Sequence, residues 1–313
     1  MSSVEIEMIR NQLPGWIKAS LPYAASGEVA SYIPELSKAP PDALGITLLD
    51  ANGDVATAGD CHMHFTMQSI SKVFTLILSL MDNGEDAVFR KVGMEPTGDN
   101  FNSMLKLELV RPGIPFNPMI NAGAITVTSL IHGSSPQEKI ERILHFFRKI
   151  AGNDRLRYDM DVYQSELENA NLNRSIAYFL KENGVLETPV EEILDVYIHH
   201  CSILVNCADL ARMALVLALG GIDPQTGKQL IPRRYVRIAR TFMTTCGMYN
   251  ASGEFAIDVG LPAKSGVSGG IMTLVPGRYG IGVVGPALND KGNSQAGVQL
   301  LEMISKEMEW SMF

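Results

Sequence analysis

Met67-Gln68-Ser69-Ile70-Ser71-Lys72-Val73-Phe74 sets a serine hydroxyl and a lysine amine three residues apart at a helix start. On a helix such positions share a face, with Cβ atoms roughly 5–6 Å apart, so the amine reaches the hydroxyl. Lysine can take the serine proton only if burial or a second cation depresses its pKa enough to leave it neutral near working pH. The pattern therefore asks for an enclosed, partly cationic site. The next residues, Val73 to Met81, are apolar nearly all round, which predicts a helix buried in the core. Ser-x-x-Lys arises by chance about once in a chain of this size, and it recurs here at Ser103-Met104-Leu105-Lys106. That second copy follows the turn-forming Gly98-Asp99-Asn100-Phe101-Asn102 and precedes a shorter, more polar run.

Before the serine helix, Leu44 to Leu49 and Val55 to Ala58 read as two strands joined by a turn through Asn52-Gly53, a strong hairpin signal. An amphipathic helix is expected from about Val4 to Ala19. After the serine helix, Ser135-Pro136-Gln137-Glu138 is a capping box ahead of the apolar stripe Ile140, Ile143, Leu144 and Phe147. Thr188-Pro189-Val190-Glu191 repeats that device, and Cys207–Leu219 and Pro232–Thr245 read as further helices. Strand signals return only at Ile271–Val275 and Ile281–Val284, before a last helix from about Ser294 to Met308. The expectation is an α/β protein forming one catalytic domain over 1–313. An α/β lobe from about 1–66 and 250–313 is interrupted by an all-helical lobe from about 67–249, without a linker.

With 313 residues, 46% hydrophobic and 19% charged, the chain can bury a sizeable core. A net charge of −8, spread along the chain, argues against nucleic-acid binding. The first residues lack the basic start and apolar stretch of a secretory signal, and the apolar runs near Leu76 and Leu215 are too short or too interrupted to span a bilayer. Cys61, Cys201, Cys207 and Cys246 form no Cys-x-x-Cys pair, so reduced thiols and a cytoplasmic protein are expected. The pairs His62/His64 and His199/His200 have no acidic or cysteine cluster beside them, which disfavours a metal site.

Lys264-Ser265-Gly266, ahead of the late hairpin, supplies a partner for Ser69 and Lys72. Ser-x-x-Lys and Lys-Thr-Gly are paired signatures of β-lactamases and penicillin-binding proteins. Lys264 would bring positive charge near Lys72 and lower its pKa, while the glycines let a strand approach a substrate closely. Acyl transfer also needs two N–H donors for the developing oxyanion, for which the amides of Ser69 and of Val267 on the opposing strand are candidates.

The chain resembles the serine-dependent glutaminases over nearly its whole length. The matching segments are Tyr32-Ile33-Pro34, Gln68 to Lys72, Asn117 to Ala124, Ser165-Glu166 with Asn173, Asp195-Val196-Tyr197 with Cys201-Ser202, Cys246-Gly247-Met248-Tyr249, and Gly260 to Val267. The resemblance implies a β-lactamase/penicillin-binding-protein-like fold, an antiparallel sheet flanked by helices. It also implies hydrolysis of L-glutamine to L-glutamate and ammonia without a cofactor, and a dimer or tetramer. It makes Ser69 the nucleophile and Lys72 its base, and places Tyr32, Asn121, Glu166, Asn173, Tyr197, Tyr249 and Val267 around the glutamine. A buried zwitterion needs both its charges paired. Glu166 suits the ammonium, the Asn amides and Tyr hydroxyls suit the carboxylate, and Tyr249 suits proton relay to the leaving ammonia. Taken singly, Asn121 reads as well as a helix cap, Glu166 as a solvated carboxylate and Tyr197 as a core aromatic.

The chain departs from the family's Ser-Pro-Pro-Leu-Asp at Gly285-Pro286-Ala287-Leu288-Asn289, and His62 and His64 are unusual for the family. A penicillin-recognising acyltransferase and a catalytically silent amino-acid sensor are the competing readings.

Overall fold

The computed structural model describes residues 2–97 and 113–313, so the second Ser-x-x-Lys copy, with the turn before it, lies outside the described residues. The strands, in chain order, are β1 (Glu28–Val29), β2 (Gly45–Asp50), β3 (Val55–Gly59), β4 (Phe65–Thr66), β5 (Arg157–Tyr158), β6 (Ile203–Val205), β7 (Ala263–Ser265), β8 (Gly270–Val275), β9 (Tyr279–Val284) and β10 (Ala287–Leu288). The helices are α1 (Ser2–Ser20), α2 (Ser71–Asn83), α3 (Glu85–Lys91), α4 (Asn121–Leu130), α5 (Pro136–Ala151), α6 (Met160–Glu168), α7 (Asn171–Glu182), α8 (Val190–Cys201), α9 (Cys207–Ala218), α10 (Arg233–Cys246), α11 (Ser252–Asp258) and α12 (Gln295–Glu307).

The main sheet runs β3-β2-β9-β8-β7, every pairing antiparallel, so strands from both ends of the sequence meet between β2 and β9. In β9 the alternation Gly280-Ile281-Gly282-Val283 assigns the two faces. Ile281 and Val283 join Ile46 and Leu48 under α1 and α12, packed on Ile9, Leu13, Leu300 and Ile304. The opposite face receives α9, and there the glycines decide how close it comes. A Cβ on Gly280 would sit 2.0 Å from the Ala211 carbonyl oxygen, and one on Gly282 would sit 2.2 Å from that of Cys207. The helix therefore lies directly on the strand backbone, and its residues Leu210, Met213, Leu215 and Leu217 continue into a core shared with α2, α5 and α10.

The expected hairpins form, with β8–β9 tighter than the sequence suggests: Tyr279 pairs with Val275, leaving the turn to Pro276, Gly277 and Arg278. The Ser135 hydroxyl accepts from the Glu138 amide, but the Glu138 carboxylate returns to the Ser134 amide rather than to Ser135. Thr188 caps nothing; α8 begins at Val190 with Pro189 before it and no side-chain cap. The reciprocal capping box lies instead at Asn206 and Asp209, opening α9. Nor is the region 67–249 purely helical. Ile203–Val205 pairs with Arg157–Tyr158 and with Phe65–Thr66 in a small antiparallel sheet. These strands are two or three residues long, too short to show an alternation in sequence.

Gly280→Ala should destabilise the protein by about 3 kcal/mol or more, because backbone rather than a flexible side chain meets the new methyl. Urea unfolding would show it as a lower midpoint at unchanged slope.

Candidate active site

Ser69 sits in a single 3-10 turn, Gln68–Ile70, that runs straight into α2, so the helix proper begins two residues after it. Ser69 and Lys72 are both buried, at 8% and 1% exposure. The Lys72 ammonium donates to Asn121 Oδ1 at 2.6 Å and to the Met119 carbonyl at 3.3 Å. Burial lowers its pKa to about 8, with Glu166 pulling the other way. Lys264, fully buried, is held well below the usual lysine range by burial and by Lys72. Its amine donates to the Ser265 carbonyl at 2.7 Å and lies 4.5 Å from the Tyr249 ring centroid.

Asn121 is the first residue of α4 rather than its cap, which is Ile120. Its side chain spans Lys72 on one side and Asn173 on the other, donating to Asn173 Oδ1 at 3.0 Å. Glu166 is no solvated loop residue; it lies buried in α6 and accepts from Gln68 Nε2 at 3.3 Å. Burial raises its pKa to about 7, opposed by the Gln68 hydrogen bond and by Lys72. Gln68, adjacent to the serine and held at φ +47°, is thus a participant that sequence reasoning passed over. Its partner stands 98 residues away, which no local signal discloses.

Val267 lies in the β7–β8 turn, not on a strand. That turn backs onto the serine turn: a Cβ on Gly266 would sit 2.6 Å from the Met67 carbonyl oxygen, and Ser268 donates to the Thr66 carbonyl at 2.6 Å. Tyr249 holds a left-handed backbone at φ +54°. Burial holds its phenol well above the usual value, and a hydrogen bond with Ser69 acts against that. A left-handed backbone at a bulky residue costs on the order of 1–3 kcal/mol. Here Ser252, which bonds the Met248 amide and the Tyr249 carbonyl, and Asn293, which bonds the Met248 carbonyl, hold the turn in place.

Tyr197, on α8, is buried, and burial followed by Cys201 and Glu166 raises its pKa well above the usual value. Tyr32 is 55% exposed as a residue. Burial of its hydroxyl end, then Tyr249 and Glu166, keep that hydroxyl protonated. With Val267, Asn250 and Lys291, Tyr32 lines a cleft of about 640 Å³.

His62 and His64 are exposed. His199 and His200 point apart: His199 bonds the Asp195 carbonyl at 2.8 Å and stacks on Tyr163, whereas His200 is fully buried between hydroxyls. No group of three or more His, Cys, Asp or Glu side chains among the described residues could hold a metal ion. The four cysteines are free and buried.

A carboxylic acid whose folded pKa exceeds its unfolded value gives stability that is full below the unfolded pKa and lost as pH rises through the folded one. For Glu166 that window runs from about 4.5 to about 7 and carries up to about 3 kcal/mol. Denaturation from pH 4 to pH 8 should therefore show Glu166→Gln gaining on the parent protein as pH rises.

The family model for glutaminase matches residues 27–313. A glutaminase of Geobacillus thermodenitrificans is 55% identical over 304 residues, covering 97% of this chain and 98% of that one. Among solved structures, a Bacillus glutaminase crystallised in 4.3 M NaCl superposes with a TM-score of 0.91 at 44% identity, covering 97% of this chain and 99% of that one. The Bacillus subtilis glutaminase bound covalently to 5-oxo-L-norleucine, formed from 6-diazo-5-oxo-L-norleucine, gives a TM-score of 0.87 at 42% identity over 96% of this chain and 99% of that one.

Proposed function

The chain belongs to the glutaminase family and has its β-lactamase-like fold, and from that premise we propose that it hydrolyses the side-chain amide of L-glutamine through an acyl-enzyme on Ser69. The observation that carries this reading is the buried Lys72 amine, one helical turn from Ser69, with its pKa lowered to about 8. Near that pH a sizeable fraction of the amine is neutral and can accept the serine proton.

In this mechanism the Ser69 oxygen attacks the amide carbon and its proton passes to Lys72. The amides of Ser69 and Val267 receive the oxyanion. Collapse breaks the C–N bond, and ammonia leaves with a proton delivered through Tyr249, whose bond to Ser69 supports that role. Water then hydrolyses the glutamyl ester, with Lys72 again taking a proton. Glu166 pairs the substrate ammonium, while Asn121, Asn173, Tyr32 and Tyr197 serve its polar groups. Lys264 acts as a supporting residue, packed against the Tyr249 ring. Attachment of 5-oxo-norleucine to the Bacillus subtilis relative supports a covalent route, since that molecule keeps glutamine's carbon chain and side-chain carbonyl.

The whole chain acts as one catalytic domain, with the α/β lobe and the helical region meeting at the serine turn. It works in the cytoplasm as a dimer or tetramer; four free, buried cysteines suit a reducing compartment. Light scattering of the purified protein should return two or four protomers.

Ser69→Ala should lower ammonia release from glutamine roughly a thousandfold or more, and an active alanine variant would overturn the nucleophile. For the parent enzyme, kcat/KM should climb as pH rises and level off above pH 8, because Lys72 must lose its proton and Glu166 must be ionised. A profile falling between pH 6 and pH 8 would remove Lys72 as base.

A further inference from the structure

His200 belongs to none of the roles above, yet it is fully buried and faces two hydroxyls. Its Nδ1 is 2.8 Å from Ser71 Oγ on α2, and its Nε2 is 3.1 Å from Thr128 Oγ1 on α4. Its own helix, α8, carries Tyr197 one turn earlier, and the two rings meet edge to face at 5.1 Å. These helices bear, respectively, Lys72, Asn121 and Tyr197.

We propose that His200 is a positioning residue that pins α2, α4 and α8 together, fixing the Lys72 amine against Asn121. The inference rests on the glutaminase reading for its kinetic consequence, although its geometry does not.

Proton accounting makes the contact specific. Thr128 Oγ1 lies 2.8 Å from the Ala124 carbonyl, and Ser71 Oγ lies 2.7 Å from that of Gln68. A neutral imidazole carries one N–H and one lone pair, so it donates to one hydroxyl and accepts from the other. The shorter contact, at Ser71, suits O–H···N, and the longer, at Thr128, suits N–H···O. Ser71 then turns its proton from the Gln68 carbonyl to the ring, while that carbonyl keeps the Ser71 backbone N–H. The ring is locked neutral: burial, then Lys72 and His199, lower its pKa to about 3. Protonation would break the arrangement by leaving Nδ1 no lone pair to offer Ser71. Register matters here because the Lys72 bond to Asn121 is 2.6 Å long and joins two of the same helices.

The test compares His200→Leu, which removes both hydroxyl contacts along with the 3.9 Å contact of Nδ1 to Cys201 Sγ, with His200→Gln, which can offer an acceptor and a donor. His200→Leu should fold cooperatively and lose about ten- to a hundredfold in kcat with KM changed less than threefold, and His200→Gln should recover most of that loss. A folded leucine variant with unchanged kcat, or a glutamine variant no better than leucine, would overturn the proposal. If leucine prevents folding, Ser71→Ala and Thr128→Val each delete one contact; parental kcat in both would refute it equally. Imidazole ¹⁵N spectra report independently of turnover. They should show one neutral tautomer protonated on Nε2 and perturbed by Thr128→Val, whereas a tautomer mixture insensitive to that change would sink the assignment. Parent protein inert toward glutamine but with the expected spectrum would defeat only the functional reading.

Discussion

An ammonium group with almost no access to water is the constraint from which the site follows. Lys72 is 1% exposed, and an unpaired cation so placed would cost many kcal/mol. Two oxygens, from Asn121 and Met119, meet part of that cost, and a lowered pKa meets the rest. Both oxygens come from the segment entering α4. The lysine thus ties the start of α2 to the start of α4, and Asn121 extends the tie to Asn173 on α7.

The same burial acts on the neighbours, with the sign set by each group's charge. Desolvation pushes Glu166 up and Lys72 and Lys264 down, so opposite charges come within reach of neutrality over a narrow pH range. Lys264 is the more sparsely partnered of the two lysines. Its amine has a single carbonyl and an aromatic face, whereas Lys72 has two oxygen partners. Backbone strain is placed at the same spot. Gln68, within the serine turn, and Tyr249 are two of the three non-glycine residues with positive φ among the described residues. Such conformations persist where surrounding bonds over-determine them, as Ser252 and Asn293 do for Tyr249.

Glycine carries the remaining load by letting backbone touch backbone. Gly280 and Gly282 seat α9 on the central strand, and Gly266 seats the β7–β8 turn against Met67. The first pair binds the sheet to the helices behind it. The second contact brings the β7–β8 turn against the serine turn, joining residues nearly 200 positions apart in the chain.

The hairpins, the apolar helix after Lys72 and the final helix were legible because each rests on a local period or a turn residue. The ordered motifs also contain Lys72, Asn121, Asn173 and Glu166, which hydrogen bonds and charge link in the fold. Tertiary structure alone decided the rest. It showed that Gln68 bonds Glu166, that β5 and β6 interrupt the helices, and that His200 meets Ser71 and Thr128. The physical reason is common to all three. Periodicity records which face of an element is buried, whereas desolvation and hydrogen bonding depend on what packs opposite that face, tens to hundreds of residues away.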